Sequence, residues 1–168
     1  MAPFRSFCDL ICSIPGVGQR TAEVIVAETG ADMTVFPSPK HLASGAGICP
    51  GSNESAGRVK STQTRSGNPY LKAALGTAAL SIAASRGTFL AAKYKRLSAR
   101  RGGKKALVAI EHAILTAIWS MATTGAYYDD PGPDYYIRHN PDRARRSATH
   151  QLERLGYTVT LTPATQTA

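Results

Sequence analysis

The residues of this sequence best suited to chemistry are its cations, because of where they stand. Twelve of the twenty Lys and Arg fall between Ser55 and Ile110, a window without a single Asp or Glu: Arg58, Lys60, Arg65, Lys72, Arg86, Lys93, Lys95, Arg96, Arg100, Arg101, Lys104 and Lys105. The rest of the chain carries eight basic residues against eleven acidic ones, so the formal net charge of +9 arises entirely in that segment. A cation that neutralises a phosphate releases a condensed counterion, which makes a confined basic segment the footprint of a polyanion binder. A generic solvated cationic face is the alternative. The bond-making chemistry to look for lies in Ser44–Asn68, a stretch dense in Gly, Ser, Thr, Asn and Pro that contains Arg58, Lys60 and Arg65. Long loops of that kind are usually functional or disordered.

Other candidates are weaker. In Ile14-Pro15-Gly16-Val17-Gly18 the glycines Gly16 and Gly18 would let backbone N–H groups approach a phosphate at a helix N-terminus, as in a helix-hairpin-helix element; a tight helical turn without a ligand reads equally well. Cys8 and Cys12 stand at i, i+4 spacing, and Cys49 follows His41, but structural zinc wants four ligands in tighter pairs, so no metal site is expected. Asp129, Asp130 and Asp134 flank Pro-Gly-Pro and read as a solvated loop. His112 falls within an apolar helix and reads as a core histidine.

The elements that must position these groups are helical. Phe4–Ser13 and Gln19–Thr29 read as helices on either side of the Gly-Val-Gly turn, and Ser38 as an N-cap for a short helix through Ala43. Asn68-Pro69 opens a helix lined by Leu71, Leu75, Ala78 and Ile82, since Pro is favoured at the first helical position. Phe89–Arg101 follows, and after Gly102-Gly103 the stretch Ala106–Met121 reads as the central core helix. An acidic, aromatic connector leads to a basic helix over Pro141–Leu155 anchored by Leu152 and Leu155; Tyr157–Leu161 alternates as a strand would, within a tail over about 156–168. The expectation is a mainly α, single compact domain over 1–168, with a hairpin element over about 11–30 and a long Gly/Ser-rich loop. The absence of a signal-peptide pattern or an uninterrupted apolar run of about 20 residues points to a soluble cytoplasmic protein with no membrane partner.

Ile14-Pro15-Gly16-Val17-Gly18, Gly51-Ser52-Asn53-Glu54-Ser55-Ala56-Gly57-Arg58, Ser66-Gly67-Asn68-Pro69-Tyr70-Leu71-Lys72 and Arg96-Leu97 through Lys104-Lys105 occur in this order along the chain. The ordered set resembles the Piv-type DNA invertase and insertion-sequence transposase family, in which a RuvC-like Asp/Glu domain precedes a serine-bearing domain. The resemblance runs from about Ile11 to Pro163 and includes Leu155-Gly156-Tyr157. It implies that Ser55 is a nucleophile for DNA strand cleavage and rejoining through a serine–phosphate linkage, with Ser52 as the runner-up. It further implies DNA as partner (element ends and target), a structured guide RNA, a homo-oligomer assembled on DNA, nucleoid association, and Mg2+ bound through the RuvC-like domain.

Two departures set expectations. The chain starts almost at Ile-Pro-Gly-Val-Gly, so the RuvC-like domain is expected to be missing and the isolated chain to be inactive. Lys72 stands where many relatives have Arg, which keeps charge but loses the bidentate fork. The alternative function is a non-catalytic nucleic-acid-binding remnant or regulator of a mobile element.

Overall fold

Asn68 shows how the sequence writes this fold: its side chain accepts hydrogen bonds from the N–H groups of Tyr70 (3.0 Å) and Leu71 (3.1 Å), capping the helix that Pro69 begins. Its own amide donates to Glu28 Oε2 at 2.6 Å, which ties that helix start to the end of an earlier helix. The computed structural model describes residues 4–49, 51, 53–61 and 63–162. Among them are eight α-helices and one two-stranded ribbon, a mainly α architecture.

The helices run α1 (Arg5–Cys12), α2 (Gln19–Thr29), α3 (Pro39–Gly45), α4 (Pro69–Ala84), α5 (Phe89–Arg101), α6 (Gly103–Thr124), α7 (Tyr135–His139) and α8 (Pro141–Arg154), with the ribbon strands β1 (Asn53–Ser55) and β2 (Arg58–Ser61) between α3 and α4. The chain divides into two compact units, residues 1–133 and 134–168.

In the first unit α6 is the hub, packing against α1, α3, α4 and α5. Ile110, Ile114, Leu115 and Ile118 of α6 are fully buried, alongside Leu75 and Ile82 of α4, Ile11, Ile25 and Leu42. Removing these side chains from water is the main favourable term, roughly 1.5–3 kcal/mol for each large aliphatic. The alanines of α4 keep that helix thin, with Ala74, Ala78 and Ala79 buried. At 22 residues α6 is long and apolar enough to cross a membrane by length and composition, a property that a search for an uninterrupted apolar run overlooks because Glu111 and His112 interrupt it. Its packing is that of a core helix.

Smaller contacts lock the connections. Trp119 Nε1 donates to Phe36 O at 3.0 Å, holding the 3-10 turn Met33–Val35 and the residues after it onto α6. Asp130 Oδ1 accepts from Phe89 N and Gly132 N, both at 2.9 Å, so this acid helps Thr88 cap α5. Tyr128 N donates to Ser13 Oγ at 2.9 Å, which fastens the connector after α6 to the turn after α1.

The second unit holds α7 and α8. Asn140 caps α8 by accepting from Arg143 N at 3.0 Å, and the Tyr135 and His139 rings stack at 5.5 Å. Three expectations change here. The connector contains a helix, α7. Leu152 and Leu155 are 43% and 69% exposed, so they do not anchor α8. Tyr157–Leu161 forms no strand, because alternation without a partner edge leaves a strand's backbone groups unpaired.

Candidate nucleic-acid interface

The stretch 44–68 is not the structureless loop its composition suggests. The positive φ angles of Ala56 (49°) and Gly57 (73°) make a tight two-residue turn, of the kind whose twist matches the strands of a hairpin. β1 and β2 pair antiparallel on either side, with Ser55 directly opposite Arg58 and Glu54 opposite Val59. Opposed residues of an antiparallel pair project from the same face with Cβ atoms about 4.5–5.5 Å apart. Ser55 and Arg58 are both exposed, so a hydroxyl and a guanidinium stand side by side at the tip of the ribbon. Where β1 steps from Glu54 to Asn53, β2 steps from Val59 to Ser61; Lys60 is the extra residue of this bulge, and bulges bend and re-aim a strand.

The base of the ribbon is clamped. Gly51 N donates to Gln63 O at 2.9 Å, and the Arg65 side chain lies over Gly51. Below it two backbone segments touch: a Cβ on Gly47 would stand 2.6 Å from Gly67 N and 2.8 Å from Arg65 O. Only glycine fits, and its φ of 68° would strain any other residue. Ile48, 1% exposed, pins the same segment to the core.

Lys72 completes the clamp from below. Its ammonium donates to Gly47 O (3.3 Å) and Thr64 Oγ1 (3.0 Å), bridging the two ends of the loop from the first turn of α4. Glu111 on α6 lies close enough for the Lys72 charge to pull its pKa down, yet burial dominates and leaves the carboxyl above the ordinary range. Glu111 is 7% exposed and its Oε2 has no hydrogen-bond partner. This acid escaped the sequence reading, although its i±4 alignment with Leu107 and the buried Leu115 was the available signal.

The remaining cations gather on α5 and α6. Arg100 and Arg101 end α5, where the helix dipole favours positive charge; Lys104 and Lys105 begin α6, where it opposes it, and no acid stands in that first turn. Arg101, Lys104 and Lys105 are exposed and rim a cavity of about 530 Å³ whose walls include Ile48, Thr64, Val108, Ala109 and His112. His112 is therefore not a core histidine: it is half-buried and faces this cavity, its Nδ1 3.4 Å from Thr116 Oγ1. Burial, with Lys93 assisting, lowers its pKa from the ordinary 6.5, which favours the neutral ring. Lys93 is itself half-buried, 5.8 Å from the Phe89 ring centroid, and burial lowers its pKa. Arg96 is exposed on α5, as is Lys95.

The hairpin after α1 brings its glycines to different places. Gly16, with φ 91°, lies against α4, where a Cβ would meet Ile82 Cγ1 at 2.6 Å. Gly18 is the N-cap of α2 and faces open space. Ser52 lies outside the described residues. Cys8 is buried, and Cys12 Sγ lies 3.5 Å from Gln19 Oε1; burial raises the pKa of both thiols. Among the described residues no three His, Cys, Asp or Glu side chains come together as a metal cage.

Comparison with known proteins gives this arrangement a lineage. Residues 8–95, which hold the hairpin after α1, the clamped ribbon and most of α5, match the transposase IS116/IS110/IS902 family. The chain is also 33% identical over 130 residues to the "Insertion element IS110 uncharacterized 43.6 kDa protein" of Streptomyces coelicolor, an alignment covering 74% of this chain and 31% of that protein. The chain belongs to the IS116/IS110/IS902 transposase family.

Proposed function

We propose that this chain is the serine-bearing, DNA-handling part of an insertion-sequence transposase, with Ser55 as the nucleophile. The observation that carries the reading is the pairing of Ser55 with Arg58 at the exposed tip of a ribbon clamped at its base. In the reaction the Ser55 oxygen attacks a DNA phosphorus, an oxygen–phosphorus bond forms, and the bond from phosphorus to a deoxyribose oxygen breaks. The serine proton passes to a base and the departing oxygen takes up a proton. Attack on the serine phosphodiester by another strand's hydroxyl rejoins DNA and restores the serine. Arg58 stabilises the charge that develops on the phosphoryl oxygens, as donors aimed at a transition state do.

The exposed cations Lys60, Arg65, Arg100, Arg101, Lys104 and Lys105 support DNA as partner, through backbone contacts that carry little sequence information. Lys72 contributes by holding the loop. In members that carry a RuvC-like domain, its carboxylates and Mg2+ would supply what the residues described here do not. The chain spans under a third of the relative's length, so a structured guide RNA, a homo-oligomer assembled on DNA and a nucleoid location belong to this proposal for the whole transposase.

The test combines the chain with a RuvC-like domain of a relative, its guide RNA, Mg2+ and end-labelled element DNA. A denaturation-resistant adduct that Ser55→Ala abolishes and Ser52→Ala retains is the expected result. An adduct that follows Ser52 moves the nucleophile. No adduct, with salt-sensitive DNA binding retained, makes the chain a binding module.

A further inference from the structure

The cavity between the loop base and the α5–α6 turn combines two properties that phosphate binding alone does not require. Its rim is cationic, through Arg101, Lys104 and Lys105, and its walls are largely aliphatic, through Ile48, Val108 and Ala109. At about 530 Å³ it lies in the range of small-molecule pockets, roughly 300–1,000 Å³. A DNA or RNA duplex offers such a site only its phosphates, because its bases stay stacked inside and the walls remain wet. The part of a nucleic acid that matches both rim and wall is a base out of its stack, flat and apolar on its faces, with a phosphate on each side of its sugar.

We infer that this cavity receives an unpaired nucleotide, its base against Val108 and Ala109 and its phosphates on Arg101, Lys104 and Lys105. Thr64 and His112 stand on the walls as neutral hydrogen-bonding groups for the base edge. Thr64 Oγ1 accepts from Lys72 and still carries an O–H that can donate. His112 has its Nδ1 against Thr116 Oγ1, which leaves Nε2 as the ring nitrogen for the base edge. The positive end of the α6 dipole, crowded by Lys104 and Lys105, adds to the attraction for phosphate. The loop that contributes Thr64 to the cavity also carries Ser55. The inference rests on the reading of the basic window as a nucleic-acid surface and names what one part of it holds.

The experiment measures binding of the full 168-residue chain, at fixed salt, to a short single strand, to the same strand made abasic, and to its duplex, in DNA and RNA forms. The intact strand is expected to bind at least ten times more tightly than the abasic strand, which keeps every phosphate and loses only the bases. Val108→Phe and Ala109→Met fill the cavity independently from half-exposed positions, and each is expected to erase that difference while leaving abasic and duplex binding within twofold. Thermal melting shows that each variant is folded. Lys104→Ala lowers all forms together. The DNA and RNA arms show which strand supplies the nucleotide. Equal binding of intact and abasic strands, or a preference that survives both fillings in folded protein, overturns the inference while the polyanion reading stands. No salt-sensitive binding of any form overturns both.

Discussion

Ser55 and Arg58 face each other across a two-residue turn, the last pair of the β1–β2 ladder. The pairing brings a hydroxyl and a permanent cation to the same face of a ribbon whose far end is clamped by Gly51, Gly47 and Gly67. Arg58→Ala is expected to lower the rate of serine–DNA adduct formation by roughly 100-fold, the scale of removing one donor aimed at developing charge. Because Arg58 is exposed, the melting temperature should move by less than about 2 °C. Timed quenching of the adduct reaction alongside calorimetry checks both.

The clamp predicts a second effect, on stability. Gly67→Ala would drive a methyl group into the backbone of Ala46 and Gly47. A loss of about 1–3 kcal/mol is expected, as in other overpacked sites, read as a lower urea midpoint. Gly57→Ala meets no neighbour but must hold a φ of 73°, so its cost should be smaller, about 1 kcal/mol, and confined to the ribbon. Hydrogen exchange at the ribbon amides separates local from global loss.

Lys72 and Lys104 carry the same charge and should behave differently. Lys104→Ala removes an exposed cation, so DNA affinity should fall with the salt slope reduced by about 1, and stability should be unchanged. Lys72→Ala removes two hydrogen bonds to the loop and a positive charge that acts on the buried Glu111 carboxyl. It should cost about 1–3 kcal/mol of stability, since Gly47 O and Thr64 Oγ1 lose a charged donor in a half-buried place. Binding titrations across a salt series, paired with urea unfolding, distinguish the two roles.

Glu111 gives the pH dependence. Burial raises its pKa in the folded chain above its ordinary value of 4.5. The unfolded chain therefore releases this proton first, and the group's contribution to stability falls as pH rises from about 4.5 through the folded pKa. Glu111→Gln should flatten that decline and raise the melting temperature at pH 8 more than at pH 5. His112 acts in the opposite sense: its lowered folded pKa removes stability as pH falls below 6.5. Melting of the single variants and of His112→Gln across pH 4–8 resolves the two.

Much of the helical frame was legible because its boundaries are written locally. Asn68-Pro69 starts α4, Thr88 starts α5 and Gly30 ends α2, whereas α6 runs Gly103–Thr124, three residues beyond the expected Ala106–Met121 at each end. The ribbon was not, for a physical reason: its turn is Ala-Gly rather than the Asn-Gly or Asp-Gly that marks positive φ at both positions, and its strands are three and four residues long. Composition located the loop, while its shape comes from the Gly47–Gly67 approach, a contact between residues twenty apart that no local pattern encodes. His112 was misplaced because periodicity tells which helical positions are near the core but not which open on a cavity. The basic window is not one surface: Arg58 stands at the ribbon tip, Lys72 is a structural clamp, and Arg101, Lys104 and Lys105 rim the cavity.

The most direct test of the central claim is to locate the DNA on the protein. Adduct formed in the complete system with guide RNA, Mg2+ and labelled element DNA is trapped by denaturation, digested and sequenced by mass spectrometry. A phosphodeoxynucleoside on the peptide containing Ser55, lost in Ser55→Ala and slowed in Arg58→Ala, is the predicted result. DNA attached at any other residue, or strand transfer that proceeds at full rate in Ser55→Ala, contradicts it.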